Sequence, residues 1–98
     1  MTATAAKAAP ADVQVMLYPN PASDALNLRI QSGQPQTGAI YLYDIQGRMV
    51  QVLQQHVQYS KGTNSIHLPV NRTHISPGLY LVKVQAGAGS YTYKVILK

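Results

Sequence analysis

From Val13 onward, apolar and polar residues alternate with a period of two. In ALNLRIQ, Leu26, Leu28 and Ile30 fall on one side and Asn27, Arg29 and Gln31 on the other. AIYLYD sets Ile40 and Leu42 against Tyr41 and Tyr43, and VQVMLY groups Val13, Val15 and Leu17. RMVQVLQ, NSIHLPV, LYLVKVQ and SYTYKVIL continue the alternation with varying quality. A strand half-buried in a sheet turns successive side chains to opposite faces, whereas an amphipathic helix repeats about every 3.6 residues. The many Val, Ile and Tyr residues suit a pleated surface as well. The last run reaches the final residue, with Lys94 and Lys98 on one face and Tyr93, Val95 and Leu97 on the other.

Turn chemistry falls between these runs. PNPASD carries two prolines that cannot donate to a ladder, which makes it an entry loop. DIQG has Asp44 at the first position of a type I turn and Gly47 at the last, with a bulge following. SKGTN and AGAGS are glycine-bearing connections, and SPG sets Pro77 and Gly78 at the central positions of a type II turn. Seven short strands spaced roughly ten residues apart predict an all-β sandwich or small barrel. The sandwich is the better expectation, without the cysteine pair and core tryptophan of an antibody-type domain.

Composition narrows this only at some points. The 98 residues suffice for one small domain, and a hydrophobic fraction of 46% argues against disorder of the whole chain. With no cysteine there is neither a disulfide framework, a thiolate metal site nor a thiol nucleophile. Eight Lys and Arg oppose Asp12, Asp24 and Asp44, giving a net charge of +5. These cations are scattered along the chain rather than clustered, which favours a solvated basic surface over a nucleic-acid site. No apolar run approaches the roughly 20 residues of a membrane-spanning helix. MTATAAKAAPAD, residues 1–12, reads as a flexible linker before a domain at residues 13–98, and the whole looks like a fragment of a longer protein.

Candidate chemistry is sparse. His56, His67 and His74 lack the spacing of metal ligands, and the alternation puts His67 on an outward face. Asp24 and Asp44 are two carboxylates, as glycoside hydrolysis requires, but both stand where turns prefer aspartate. No Ser-His-Asp order or glycine-rich phosphate loop is present, so the chain reads as no enzyme and needs no cofactor. Tyr41 with Tyr43, and Tyr91 with Tyr93, are same-face pairs that either cover a sheet or stack on sugars. Asn71, Arg72 and Thr73 match the short N-glycosylation pattern.

The order of motifs is more specific. LYPNPASDALNLRI, IYLYDIQGRMV, ISPGLYLVKVQAG and a terminal YTYKVILK together resemble the type A C-terminal sorting domain of the type IX secretion system of Bacteroidota. The resemblance covers about residues 13–98. Carried onto this chain, the proline-asparagine-proline motif falls on Pro19, Asn20 and Pro21, and the mid-domain turn on Asp44, Gly47 and Arg48. The late turn falls on Pro77, Gly78 and Tyr80, and the terminal basic positions on Lys94 and Lys98. Gly78, Tyr80, Lys94 and Lys98 are the expected recognition residues; the others are expected to be structural.

What the resemblance implies is an immunoglobulin-like β-sandwich of about seven antiparallel strands that directs a periplasmic cargo through an outer-membrane translocon. It further implies shuttle and translocon components as partners. A sortase-like cysteine peptidase would cut before the domain and leave the cargo secreted or attached at the cell surface. Pairing of two copies through exposed edge strands is a further expected contact. The competing reading from a different class is a carbohydrate-binding or adhesive β-sandwich using the tyrosine faces.

Overall fold

The computed structural model describes residues 13–98, and the linker expected over residues 1–12 lies outside them. Seven strands follow in order: β1 (Val13–Tyr18), β2 (Ala25–Ser32), β3 (Gln36–Asp44), β4 (Met49–Tyr59), β5 (Gly62–Pro69), β6 (Gly78–Ala86) and β7 (Gly89–Leu97). A 3-10 turn at Arg72–His74 links β5 to β6. Two antiparallel sheets result, one ordered β1-β2-β5 and the other β4-β3-β6-β7.

The alternation read from the sequence is what sorts the side chains. Leu26, Leu28 and Ile30 of β2 are fully buried, as are Ile40 and Leu42 of β3 and Val82 and Val84 of β6. Tyr91, Tyr93, Val95 and Leu97 supply the inner face of β7. These residues and Leu17, Leu53, Val57, Tyr59 and Leu68 form one apolar cluster between the sheets. Burying a Leu-sized side chain contributes about 2 kcal/mol, so this layer is the main source of stability.

This is an immunoglobulin-like sandwich with one change of strand partner. In the constant-type arrangement the fourth strand completes the first sheet. Here β4 pairs with β3 instead, from Gln36↔Tyr59 to Tyr43↔Met49. The turn between them closes a hairpin, with Asp44 N–H bonded to the Arg48 carbonyl, and so sets β4 beside β3.

That turn forms as its sequence predicts. Gly47 N–H donates to the Asp44 carbonyl at 3.1 Å, and Asp44 N–H to the Arg48 carbonyl at 2.9 Å. Gly47 has φ of 90°, a left-handed conformation that glycine adopts without steric cost. The SPG segment differs from its expectation. Gly78 has φ of 154° and is already the first residue of β6, paired with Leu97, so no type II turn forms there. Chain reversal is instead spread over the 3-10 turn and Ile75–Pro77, and Gly78 supplies a conformation that other residues rarely adopt.

Candidate functional site

The features that set this domain apart converge on the end of β7. Pro19–Ser23, between β1 and β2, leaves the first sheet and meets the second. The Asn20 side-chain carbonyl accepts a hydrogen bond from the Ile96 N–H at 2.9 Å. Ala22 N–H donates to the Ile96 carbonyl at 2.8 Å, and Lys98 N–H donates to the Ala22 carbonyl at 2.8 Å. Ala22 and Leu97 thereby form a short parallel bridge, and Ala22 is fully buried beneath it. Within this motif, asparagine supplies an acceptor where the chain is still outside the ladder, and a small residue follows where backbones meet. Without these bonds the outward-facing N–H and C=O of Ile96 would lie unpaired at a sheet edge.

Arg72 closes the same corner from a third direction. Its Nη1 donates to the main-chain oxygen of Lys98 at 3.0 Å and to the carbonyl of Ser23, while its Nε donates to the Ile75 carbonyl at 3.1 Å. One planar guanidinium can do this because its donors are fixed in a fork. Asn71 holds the 3-10 turn that presents Arg72, through an acceptor bond from Thr73 N–H at 3.0 Å. The sequence marks Arg72 only as the middle of a glycosylation triplet, and no local signal announces its contact with Lys98.

The start of β6 is pinned beside this corner. Tyr80 points inward and is 8% exposed, and its hydroxyl donates to the Ser76 carbonyl at 2.6 Å. A tyrosine hydroxyl tied a few residues back at the entry to the sixth strand is a known brace of immunoglobulin-like sandwiches, the tyrosine corner. Pro77 and Gly78 lie exposed on the segment that it braces. Lys94 and Lys98 are exposed as well, with Val95 and Leu97 buried between them. Burial pushes the Tyr93 hydroxyl up to about 12, with the neighbouring Tyr91 adding to the effect.

Asp44, Gly47 and Arg48 lie apart from this corner, at the β3–β4 turn. Asp44 Oδ1 accepts from the N–H groups of Gln46 and Arg48, and Arg48 Nε donates to Oδ2 at 2.9 Å. The backbone bond from Arg48 is the largest cause holding this carboxyl below its usual value, with the Arg48 side chain helping. The tyrosines divide. Tyr91 and Tyr93 are core residues, whereas Tyr41 and Tyr43 stack edge to face at 6.4 Å on the outer face of the four-stranded sheet. His67 meets Asn27 on an exposed face, and among the described residues no group of acids and histidines could hold a metal ion.

Among the described residues the most distinctive feature of this seven-stranded sandwich is structural: its last strand is secured by a motif from the first loop. The chain belongs to the secretion system C-terminal sorting domain family, whose model matches residues 16–98. It is a C-terminal sorting signal for type IX secretion, which directs export toward the cell surface or the medium, and the family is not one of enzymes. No curated protein and no solved structure matches the chain.

Proposed function

We propose that this domain is carried by a cargo through the periplasm and read there, folded, by shuttle and translocon components of the outer membrane. Lys94 and Lys98 are the points of contact, and Gly78 and Tyr80 serve by fixing the strand against which β7 lies. A sortase-like cysteine peptidase then cuts before the domain, in the region of residues 1–12, and joins the cargo to an anionic lipopolysaccharide. The observation that carries this reading is the lock on β7: bonds from Asn20, Ala22 and Arg72 hold the Ile96–Lys98 segment. An address read at one end of a chain gains from an end with a single conformation, because ordering it in advance removes that cost from binding.

The test is export in a host with a working type IX system. The chain is fused to the C-terminus of a periplasm-targeted reporter, beside a deletion of β7 and the changes Lys94→Ala and Lys98→Ala. Reporter reaching the surface or medium, and lost with the deletion, is the expected result. Loss with the lysine changes in folded variants assigns them the contact. Retention of the intact fusion in the periplasm, in cells that export their own cargo, overturns the reading. Export that no longer depends on cysteine-peptidase activity, with cargo still processed and attached, removes the proposed cleavage step alone.

A further inference from the structure

The four-stranded sheet ends on β4 and β7, and these two edges are not alike. The β3–β4 register shifts between Gly38 and Ile40, Ile40 and Tyr41, and Leu42 and Tyr43. His56 of β4 sits in the left-handed region at φ of 56°. Bulges and such kinks break the spacing that an incoming strand must match, which protects an edge. The β6–β7 pairing has no such shift, running from Gly78↔Leu97 to Ala86↔Gly89 in even register.

An antiparallel strand turns the N–H and C=O of alternate residues away from its neighbour. Ile96 is one such residue, since Asn20 and Ala22 meet both groups on the open side. Counting back in twos, Lys94, Thr92 and Ser90 turn theirs to that same side. No described residue hydrogen-bonds to these groups there. The opening is about 17 Å long at the usual rise of a strand. Asn20–Ala22 stops it at one end and the β6–β7 hairpin at the other, so a guest strand would have a defined register.

Charge selects the guest. The outer face beside the opening carries Lys94, and Lys83 lies across from Thr92 in the pairing. The acids of the described residues are Asp24 and Asp44, and Asp44 is taken by Arg48. A second copy would bring its own Lys94-bearing edge against this one, like charge toward like. We propose that the β7 edge at Ser90, Thr92 and Lys94 takes up an extended strand of a partner protein by β-augmentation. The guest carries carboxylates on its outward face and apolar residues on its inward face. This deepens the sorting-signal reading and rests on it.

The test uses the whole chain and a short capped peptide alternating Glu and Val. Amide exchange at Ser90, Thr92 and Lys94 should slow about tenfold on saturation with the peptide, with no change along β4. A Lys–Val peptide should fail to protect them. Thr92→Pro removes an outward N–H and leaves the β6 pairing intact, so it should weaken binding at least about tenfold, whereas Thr92→Ala should not. Should Thr92→Pro fail to fold, an N-methylated Glu–Val peptide makes the same cut on the unaltered protein and should not bind. Unchanged exchange, equal binding by folded Thr92→Pro, or protection arising only with dimerisation of the chain in sedimentation would each overturn the proposal. In the export assay, folded Thr92→Pro should be lost and Thr92→Ala kept. Normal export of Thr92→Pro, with the β7 deletion still blocked, overturns the edge proposal and leaves the sorting reading standing; export surviving that deletion overturns the sorting reading.

Discussion

Two corners of this domain are fastened by side chains that bond to main chain, and they differ in reach. At the β3–β4 turn, Asp44 gathers donors from Gln46 and Arg48, all within five residues of chain. At the end of β7, Asn20 reaches Ile96 and Arg72 reaches Lys98. The first corner is a local device, able to form as soon as its own segment folds. The second joins segments from both sheets and exists only when the sandwich is assembled. A local corner shapes one hairpin; a long-range one holds the fold to its final strand.

Substitutions can separate the two. The largest contrast is expected from Leu97→Ala beneath the lock against Ile45→Ala in the Asp44 turn. Leu97 is 1% exposed and its loss should cost about 2–5 kcal/mol in chemical denaturation, whereas Ile45 is 65% exposed and should change stability by less than about 0.5 kcal/mol. Equal effects would mean that the end of β7 is not packed as a core strand. Next, Asn20→Ala should cost about 1–2 kcal/mol, lowering the thermal midpoint by several degrees and speeding amide exchange at Ile96 first. Unchanged exchange at Ile96 would show the lock to be idle in solution.

Two titrations set the core against the local corner more finely. Tyr93 in β7 and Tyr59 in β4 are both pushed up to about 12 by burial. A raised pKa means that the folded state keeps its proton longer, so stability is full below the usual value of 10.0 and is lost as pH rises toward about 12. Ultraviolet titration should show Tyr59 and Tyr93 ionising late, in step with alkaline unfolding. The smallest effect belongs to Asp44, whose pKa is depressed. Its contribution is present above the usual value of 3.8 and fades as pH falls through its lower folded value. The amide signals of Gln46 and Arg48 should follow that acid titration, and Asp44→Asn should abolish their response without disturbing Ile96.

The local corner was legible in the sequence and the long-range one was not. DIQG states its own turn chemistry, because the residues that bond are neighbours. Strands β2, β6 and β7 were equally plain, since each alternates over an unbroken pairing, and β3 keeps even register with β6. β4 was not: Met49, Val50 and Val52 are exposed while Leu53, Val57 and Tyr59 are buried, a spacing that bulges set and periodicity misses. Pro77–Gly78 looks like a turn by composition, yet the braced segment around Tyr80 extends it into β6. Asn20 and Arg72 gave no sign of their partners, because a hydrogen bond across 76 residues leaves no local pattern in either segment.

The bridge between Ala22 and Leu97 also sets an order of events. A chain made or delivered from its amino end presents Asn20 and Ala22 early, and they wait unpaired until residues 96–98 arrive. Closure of the lock therefore reports that the segments at Asn20–Ala22 and Ile96–Lys98 have come together. Without residues 96–98 the Asn20 side-chain carbonyl and both main-chain groups of Ala22 would lose these partners, and the corner would stand open.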